Sequence, residues 1–211
     1  MENKRALLLL SGGIDSTTLL AKLSGENYHV DAISFYYNQK HKIEIEYAKL
    51  NAEKYCVKKH HIIELDKVLF NSSALVNPKV DIENYFDKDP PKKQVNAYVP
   101  FRNNLFISIA LSLAESMNIN EIYLAFNNDD QNNFWDCTPE FIKKINAISS
   151  LNTSIKVKAP FIDMSKTEVI KLAKQLNVDL ENTITCYQPE ENLECGVCLS
   201  CITKLKALKN V

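Results

Sequence analysis

Apolar and polar positions along the chain follow two alternating periods. Residues 5–10 form a nearly unbroken apolar run after Arg5, as suits a strand buried on both faces of a parallel sheet. A helical pattern follows over 15–23, a second strand over 29–35, a charged-faced helix over 43–55 and a third strand over 60–65. From residue 66 to 97 the periodicity fails, and Pro78, Pro90, Pro91 and the run 87–93 mark a long irregular connection. In a compact domain a connection of that length is either functional or mobile. Helical spacing resumes over 104–117, followed by a strand over 121–126 and a polar, turn-like stretch over 127–136. The pattern then predicts a helix over Pro139–Ser149, a short strand over 155–157 and a last helix over 165–176. Ser165 is its expected N-cap, and Glu168 completes a capping box. There is no internal repeat. Repeated strand–helix units with right-handed crossovers make an α/β fold, a doubly wound parallel sheet with its ligands beyond the carboxyl ends of the strands.

Composition narrows the function rather than the fold. The 211 residues suffice for one domain with a sizeable core, and 45% hydrophobic with 24% charged content is ordinary for a soluble protein. A formal net charge of -1 gives no electrostatic reason to expect nucleic acid as a direct partner. The apolar run after Arg5 is too short for a signal core or a membrane span, so no membrane partner and a cytoplasmic location are expected. Glycine is scarce, with four in the chain: Gly12 and Gly13 share one loop, Gly196 lies among cysteines, and Gly25 resembles an ordinary helix stop.

The loop Ser11-Gly12-Gly13-Ile14-Asp15-Ser16-Thr17 falls between the first strand and the first helix, where a doubly wound sheet places its nucleotide. Two glycines permit positive φ and let backbone N–H groups approach an anion. Ser11, Ser16 and Thr17 add hydroxyls, and the helix directs its positive end at the same spot. The loop lacks the Lys-Ser/Thr end of a Walker A motif and does not match GxGxxG. Asp15 beside a phosphate site suits a Mg²⁺ ligand or a helix cap. A strand–turn–helix corner with glycines for geometry alone is the plainer alternative.

Cys186, Cys195, Cys198 and Cys201 crowd near the C-terminus, while Cys56 and Cys137 stand apart. In a cytosolic chain such a cluster points to a metal before a disulfide framework. Four thiolates are what a closed, structural Zn²⁺ site requires; an iron–sulfur cluster and a redox Cys-x-x-Cys are the competing readings.

The Ser-Gly-Gly-Ile-Asp-Ser-Thr string resembles the signature of N-type ATP pyrophosphatases, which cleave ATP between the α- and β-phosphates. With the cysteine cluster, the chain resembles the 7-cyano-7-deazaguanine synthases (the QueC family) from about Leu7 to Ala207. Further matching segments are Tyr37 to His41 with Glu44, Val99-Pro100 and Arg102-Asn103, Asp136-Cys137 with Pro139 to Phe141, Lys166 to Glu168, and Thr185 to Tyr187. The resemblance implies a Rossmann-like fold of the adenine nucleotide alpha hydrolase type over 1–184, with 66–98 as an irregular insertion. It implies a zinc-binding tail over 185–211, packed as part of the same domain. It also implies an ATP-dependent ligase that adenylates 7-carboxy-7-deazaguanine and uses ammonia to form the amide and then the nitrile. Ser11, Gly12, Gly13, Asp15, Ser16 and Thr17 would cradle pyrophosphate with Mg²⁺, and Arg102 and Lys166 would offset phosphate charge. His41 is a proton carrier or merely a helix-start residue, and Tyr37 and Phe35 are core or adenine-stacking groups. A homodimer is common in the family, but the sequence locates no interface.

Departures from the family pattern fall on the acceptor side. Residues 127–135 replace the family's Asn-Ala/Glu-x-Asp-x-Ser-Gly-Tyr-Pro run, leaving Asp130 as the nearest counterpart of its Asp. Phe101 stands where the family has Gly, and Thr138 where it has Arg after Asp136-Cys137. Together with Trp135 these changes would reshape the acceptor side, so Asp130, Phe101, Trp135 and Asp136 are the substrate-side candidates. The alternative expectation is a QueC-like ligase of antiviral defence systems that joins a deazaguanine carboxylate to a protein amine. A scaffold with lost catalysis is disfavoured by the intact loop with Arg102 and Lys166.

Overall fold

The structure is a computed structural model that describes residues 4–86, 95–191 and 193–211. Five parallel strands form one sheet in the order β3-β2-β1-β4-β5: β1 Arg5–Leu9, β2 His29–Tyr36, β3 His60–Glu64, β4 Glu121–Tyr123 and β5 Lys156–Lys158. The apolar run of β1 is central, so both faces are covered and Ala6, Leu7 and Leu8 are fully buried. Side-chain alternation divides the core. Leu7, Ile33 and Ile122 face α3 (Arg102–Ser116) and α4 (Pro139–Ser149). Ala6, Leu8 and Ala32 face α1 (Ile14–Gly25), Ala48 and Ala52 of α2 (Glu44–Lys54), and α5 (Lys166–Gln175). The chain is thus an α/β protein with a doubly wound sheet, as the periodicity predicts.

The chain winds outward from β1 through β2 to β3 on one side, then crosses back to β4 and β5 on the other side of β1. The gap at the carboxyl ends of β1 and β4 is therefore the topological switch point. The loop 11–13 leaves β1 directly into this gap.

Several elements depart from the sequence expectation. The strand expected over 121–126 keeps only three ladder residues, and residues 124–126 turn along the gap instead. Helix α3 begins at Arg102 rather than 104, putting Arg102 in its first turn. Gly25 ends α1, but the left-handed residue beyond it is Asn27, with φ 61°. An unforeseen α6, Leu199–Leu208, follows the cysteines, and its Ala207 packs against Ile14 and Ile170.

The irregular connection is packed wherever it is described. Phe70, Leu75, Val76, Ile82, Tyr85, Val95 and Ala97 all join the main core. Leu75 accepts from Lys40 N–H at 2.8 Å, and Tyr85 N–H donates to Val197 O at 2.8 Å. Pro90, Pro91 and the whole run 87–93 lie outside the described residues.

Candidate active site

A cavity of about 260 Å³ opens at the switch point, lined by Ser11, Gly13, Asp15 and Ser16 of the loop, by Arg102, and by residues 124–126 beyond β4. The loop's shape has two separate causes. Gly12 has φ +82°, and a Cβ there would sit 2.3 Å from Glu44 O and 2.7 Å from Ala48 N. Only glycine lets α2 approach so closely. Gly13 is extended instead (φ -79°), and its absent Cβ leaves room for Ile184 O, 3.3 Å away. Ser16 Oγ donates to Gly13 O and lies 3.1 Å from Ser11 Oγ, which holds the loop closed over the start of α1. Thr17 is fully buried with no hydrogen-bond partner for Oγ1 among the described residues, and it does not line the cavity. The structure therefore brings Ser11, Gly13, Asp15 and Ser16 to the cavity and leaves Thr17 behind them.

A smaller pocket of about 60 Å³ adjoins the first and shares Asp15, Asp130 and Tyr187 with it. Lys166, the first residue of α5, is only 4% exposed, and its Nζ lies 2.6 Å from Asp15 Oδ2. Asp129 Oδ2 accepts from the Lys166 backbone N–H at 2.7 Å. Ser165 and Glu168 form the expected capping box, which fixes the start of that helix. Asp15 is not a helix cap. Its Oδ1 is buried and has no hydrogen-bond partner among the described residues.

Asp130 sits in a one-turn helix whose capping box it forms with Asn127: Asn127 N–H donates to Asp130 Oδ2 at 3.1 Å. Burial, followed by the nearby Asp15 carboxylate, pushes the Asp130 pKa up to about 6. Two close carboxylates, one with an unsatisfied oxygen, form a hard-oxygen donor set of the kind that suits Mg²⁺.

Arg102 closes the opposite wall. Its guanidinium donates to Tyr37 OH at 3.3 Å and to Asn103 Oδ1 at 3.2 Å. Burial opposes its charge, but Tyr37 and Asp136 outweigh burial and raise its pKa, so it is a fixed cation. Asp136 is itself buried, its pKa raised by desolvation, and it lies outside the cavity lining.

Phe101 and Trp135 are not brought to the cavity. Phe101 adopts the left-handed conformation (φ 52°, ψ 20°) where the resembled family has glycine, and it is 62% exposed. That conformation costs a non-glycine residue roughly 1–2 kcal/mol. An edge-to-face contact with Trp135 at 5.2 Å, worth about 0.5–1.5 kcal/mol, offsets much of that. Tyr98 OH accepts from both Trp135 Nε1 and Phe101 N–H, completing an aromatic rim. Of the four substrate-side candidates only Asp130 lines the cavity. Tyr187, from the matching Thr185 to Tyr187 segment, and Asn127, Asp129 and Phe134, from the altered 127–135 segment, line one pocket or both. The sequence marked those segments but not these positions, because a polar run of Asn and Asp otherwise reads as solvated turn.

The sulfur atoms of Cys186, Cys195, Cys198 and Cys201 all lie within 4.8 Å of one another. Ligands at ~2.3 Å around a tetrahedral zinc are ~3.8 Å apart, so the donor set fits. N–H groups of residues 188 and 195 point at Cys186 Sγ, and that of residue 198 at Cys195 Sγ, the arrangement expected of a thiolate knuckle. Hydrogen bonds from its neighbours Cys186 and Cys201 lower the Cys198 pKa, favouring a thiolate there. Gly196 between them has φ +72°. Just ahead of the cluster, Ile184 N–H donates to Gly12 O at 3.2 Å and Thr185 lines the cavity, so the cluster and the loop share one wall.

Comparison with known proteins shows the family and the fold. Residues 5–211 match the family model described as queuosine biosynthesis protein QueC. The chain is 39% identical to a 7-cyano-7-deazaguanine synthase of Rickettsia bellii, covering 98% of this chain and 94% of that protein. It is 37% identical to the synthase of Rickettsia akari, over 98% of this chain and 95% of that one. Among solved structures, a 4-thiouridine synthetase–RNA complex with bound ATP superposes with a TM-score of 0.54 at 17% identity, covering 99% of this chain and 50% of that chain. A predicted tRNA methyltransferase subunit from Methanocaldococcus jannaschii gives 0.53 at 17%, covering 81% and 74%. At those identities the likeness concerns the fold alone. No described helix is long and apolar enough to cross a membrane.

Proposed function

We propose a function that starts from family: this chain belongs to the QueC family of queuosine biosynthesis proteins. It is an ATP-dependent enzyme of 7-cyano-7-deazaguanine synthesis, acting on 7-carboxy-7-deazaguanine and ammonia. The observation that carries the reading is the unsatisfied Asp15 Oδ1 beside Asp130 and Lys166, at the mouth of the Ser-Gly-Gly loop.

The loop N–H groups and the start of α1 hold the phosphates that become pyrophosphate. Asp15 and Asp130 would hold Mg²⁺, which would supply positive charge toward the phosphates. Arg102 and Lys166, both fixed before substrate arrives, stabilise the negative charge that builds as the substrate carboxylate bonds to the α-phosphorus and pyrophosphate leaves. Ammonia then displaces AMP to give the amide. A second activation through the amide oxygen, with loss of AMP, gives the nitrile. Cys186, Cys195, Cys198 and Cys201 would hold a structural Zn²⁺, which would fix the cavity wall at 184–187.

Pyrophosphate release from ATP on adding 7-carboxy-7-deazaguanine, with nitrile appearing in the presence of ammonia, is the test. No release sinks the reading. The exposed Phe101–Trp135 pair, with Phe101 next in the chain to Arg102 but both residues outside the cavity lining, supports a second reading, transfer of the activated carboxylate to a protein amine. Release without nitrile would favour that one. Asp15→Asn should lower ATP cleavage by roughly a hundredfold or more while circular dichroism stays native; retained cleavage would remove Asp15 from the metal role.

A further inference from the structure

A second cluster of titratable groups lies on the cavity wall at the start of α2, which packs against Gly12 of the loop. Glu44, the first residue of α2, and His41 both line the cavity. His41 is 7% exposed, and its Nε2 lies 3.3 Å from Glu44 Oε2. His41 Nδ1 makes no hydrogen bond among the described residues, although the Tyr187 backbone lies close enough to favour the charged ring.

The orientation of Glu44 is determined by Gln39. The Gln39 amide oxygen accepts from Tyr37 N–H at 2.8 Å, so its nitrogen must point the other way. That nitrogen donates to Phe35 O at 3.1 Å and to Glu44 Oε1 at 2.8 Å. One carboxylate oxygen is therefore held, and the other is left to His41. Gln39 is 3% exposed. A surface cap would need none of this support.

The environment suits proton transfer. A carboxylate at a helix N-terminus ordinarily has a low pKa. Burial overrides that here and pushes Glu44 up to about 7, against the pull of Gln39 and Arg102. Burial and then Arg102 push His41 down to about 3, so the ring is neutral at working pH. The charged and titratable groups around the pair are Arg102, Tyr37 and Tyr187, with Asp15 and Asp130 elsewhere on the cavity lining.

We propose that Glu44, with His41 beside it and Gln39 as its positioning residue, is the base that takes protons from the substrate nitrogen during amide and nitrile formation. This rests on the function proposed above. In the first step the ammonia nitrogen bonds to the activated carboxyl carbon, the C–O bond to AMP breaks, and one N–H proton passes to Glu44. In the second the amide oxygen bonds to the α-phosphorus of another ATP and pyrophosphate leaves. The C–O bond then breaks to release AMP while the nitrogen gives up two protons in turn, and the N–H electron pairs become the added C–N bonds. Glu44 takes each proton and returns it to solvent between steps. Activation of the carboxylate itself needs no such base, because a carboxylate carries no proton at neutral pH.

The two stages separate in the assay. ATP–pyrophosphate exchange dependent on 7-carboxy-7-deazaguanine reads activation, and nitrile appearance reads proton removal. At constant free ammonia, the wild-type nitrile rate should fall as pH drops through about 7, where Glu44 becomes protonated. Glu44→Gln should cut nitrile formation about a hundredfold or more, flatten that limb, and leave exchange within about fivefold of wild type. Glu44→Asp should restore part of the rate and the limb. Nitrile formation by Glu44→Gln at the wild-type rate with an unchanged limb would overturn the proposal. So would a parallel loss of exchange and nitrile in both variants, which marks a structural role. Absence of exchange in the wild-type protein is a different result: it overturns the adenylation reading, and this inference with it.

Discussion

At the scale of single residues, the Ser-Gly-Gly loop shows how one pair of glycines can serve two purposes. Positive φ and close approach are both required at Gly12, whereas Gly13 only makes room for the strap at Ile184. Gly12→Ala should therefore destabilise the fold by on the order of 3 kcal/mol or more, since a left-handed alanine adds to a clash with backbone that cannot rotate away. A urea denaturation series would check this, and an unchanged midpoint would show that α2 gives way freely. Asp15, Arg102 and Lys166 were legible as candidates because charged residues stood inside recognisable strings. The relation between them was not. That Lys166 pairs with Asp15, 151 residues away, and that Thr17 faces inward, depend on how helices α1 and α5 pack.

Among the elements, α5 was the best defined by sequence, because its capping box is a local signal. It also has a function beyond stability: the cap sets the first turn, and the first turn carries Lys166. Ser165→Ala should cost about 1 kcal/mol, roughly 2–4 °C in Tm, and lower ATP cleavage through a loosened Lys166. Calorimetry with a pyrophosphate assay would show both; a fall in Tm with full activity would separate the cap from the site. Helix α6 escaped detection for a related reason. Its start at Cys198 has no side-chain cap, and ten residues have little helical stability of their own. The helix is held by Ala207 against Ile14 and Ile170, contacts that no local pattern announces.

Over the whole molecule, the cysteine cluster, the strap 184–187 and the loop form one continuous wall, so a metal held by the cysteines would be coupled to the fold and to the proposed nucleotide site. Removing the metal with a strong chelator should lower Tm by roughly 10 °C or more and weaken ATP binding, both restored by added zinc. Thermal scans with nucleotide titration would check it, and an unchanged Tm would overturn the structural metal. The alternation of strand and helix, the Ser-Gly-Gly turn between β1 and α1 and the four clustered thiols were readable along the chain, because each is a local arrangement of a few residues. Strand order, the packed course of the described part of 66–98, the position of Phe101 and Trp135 outside the cavity lining and the Gln39–Glu44–His41 constellation were decided only by folding. Those features join residues that share space but not sequence, and burial, which moves Glu44 toward neutral pH, exists only once the core has closed.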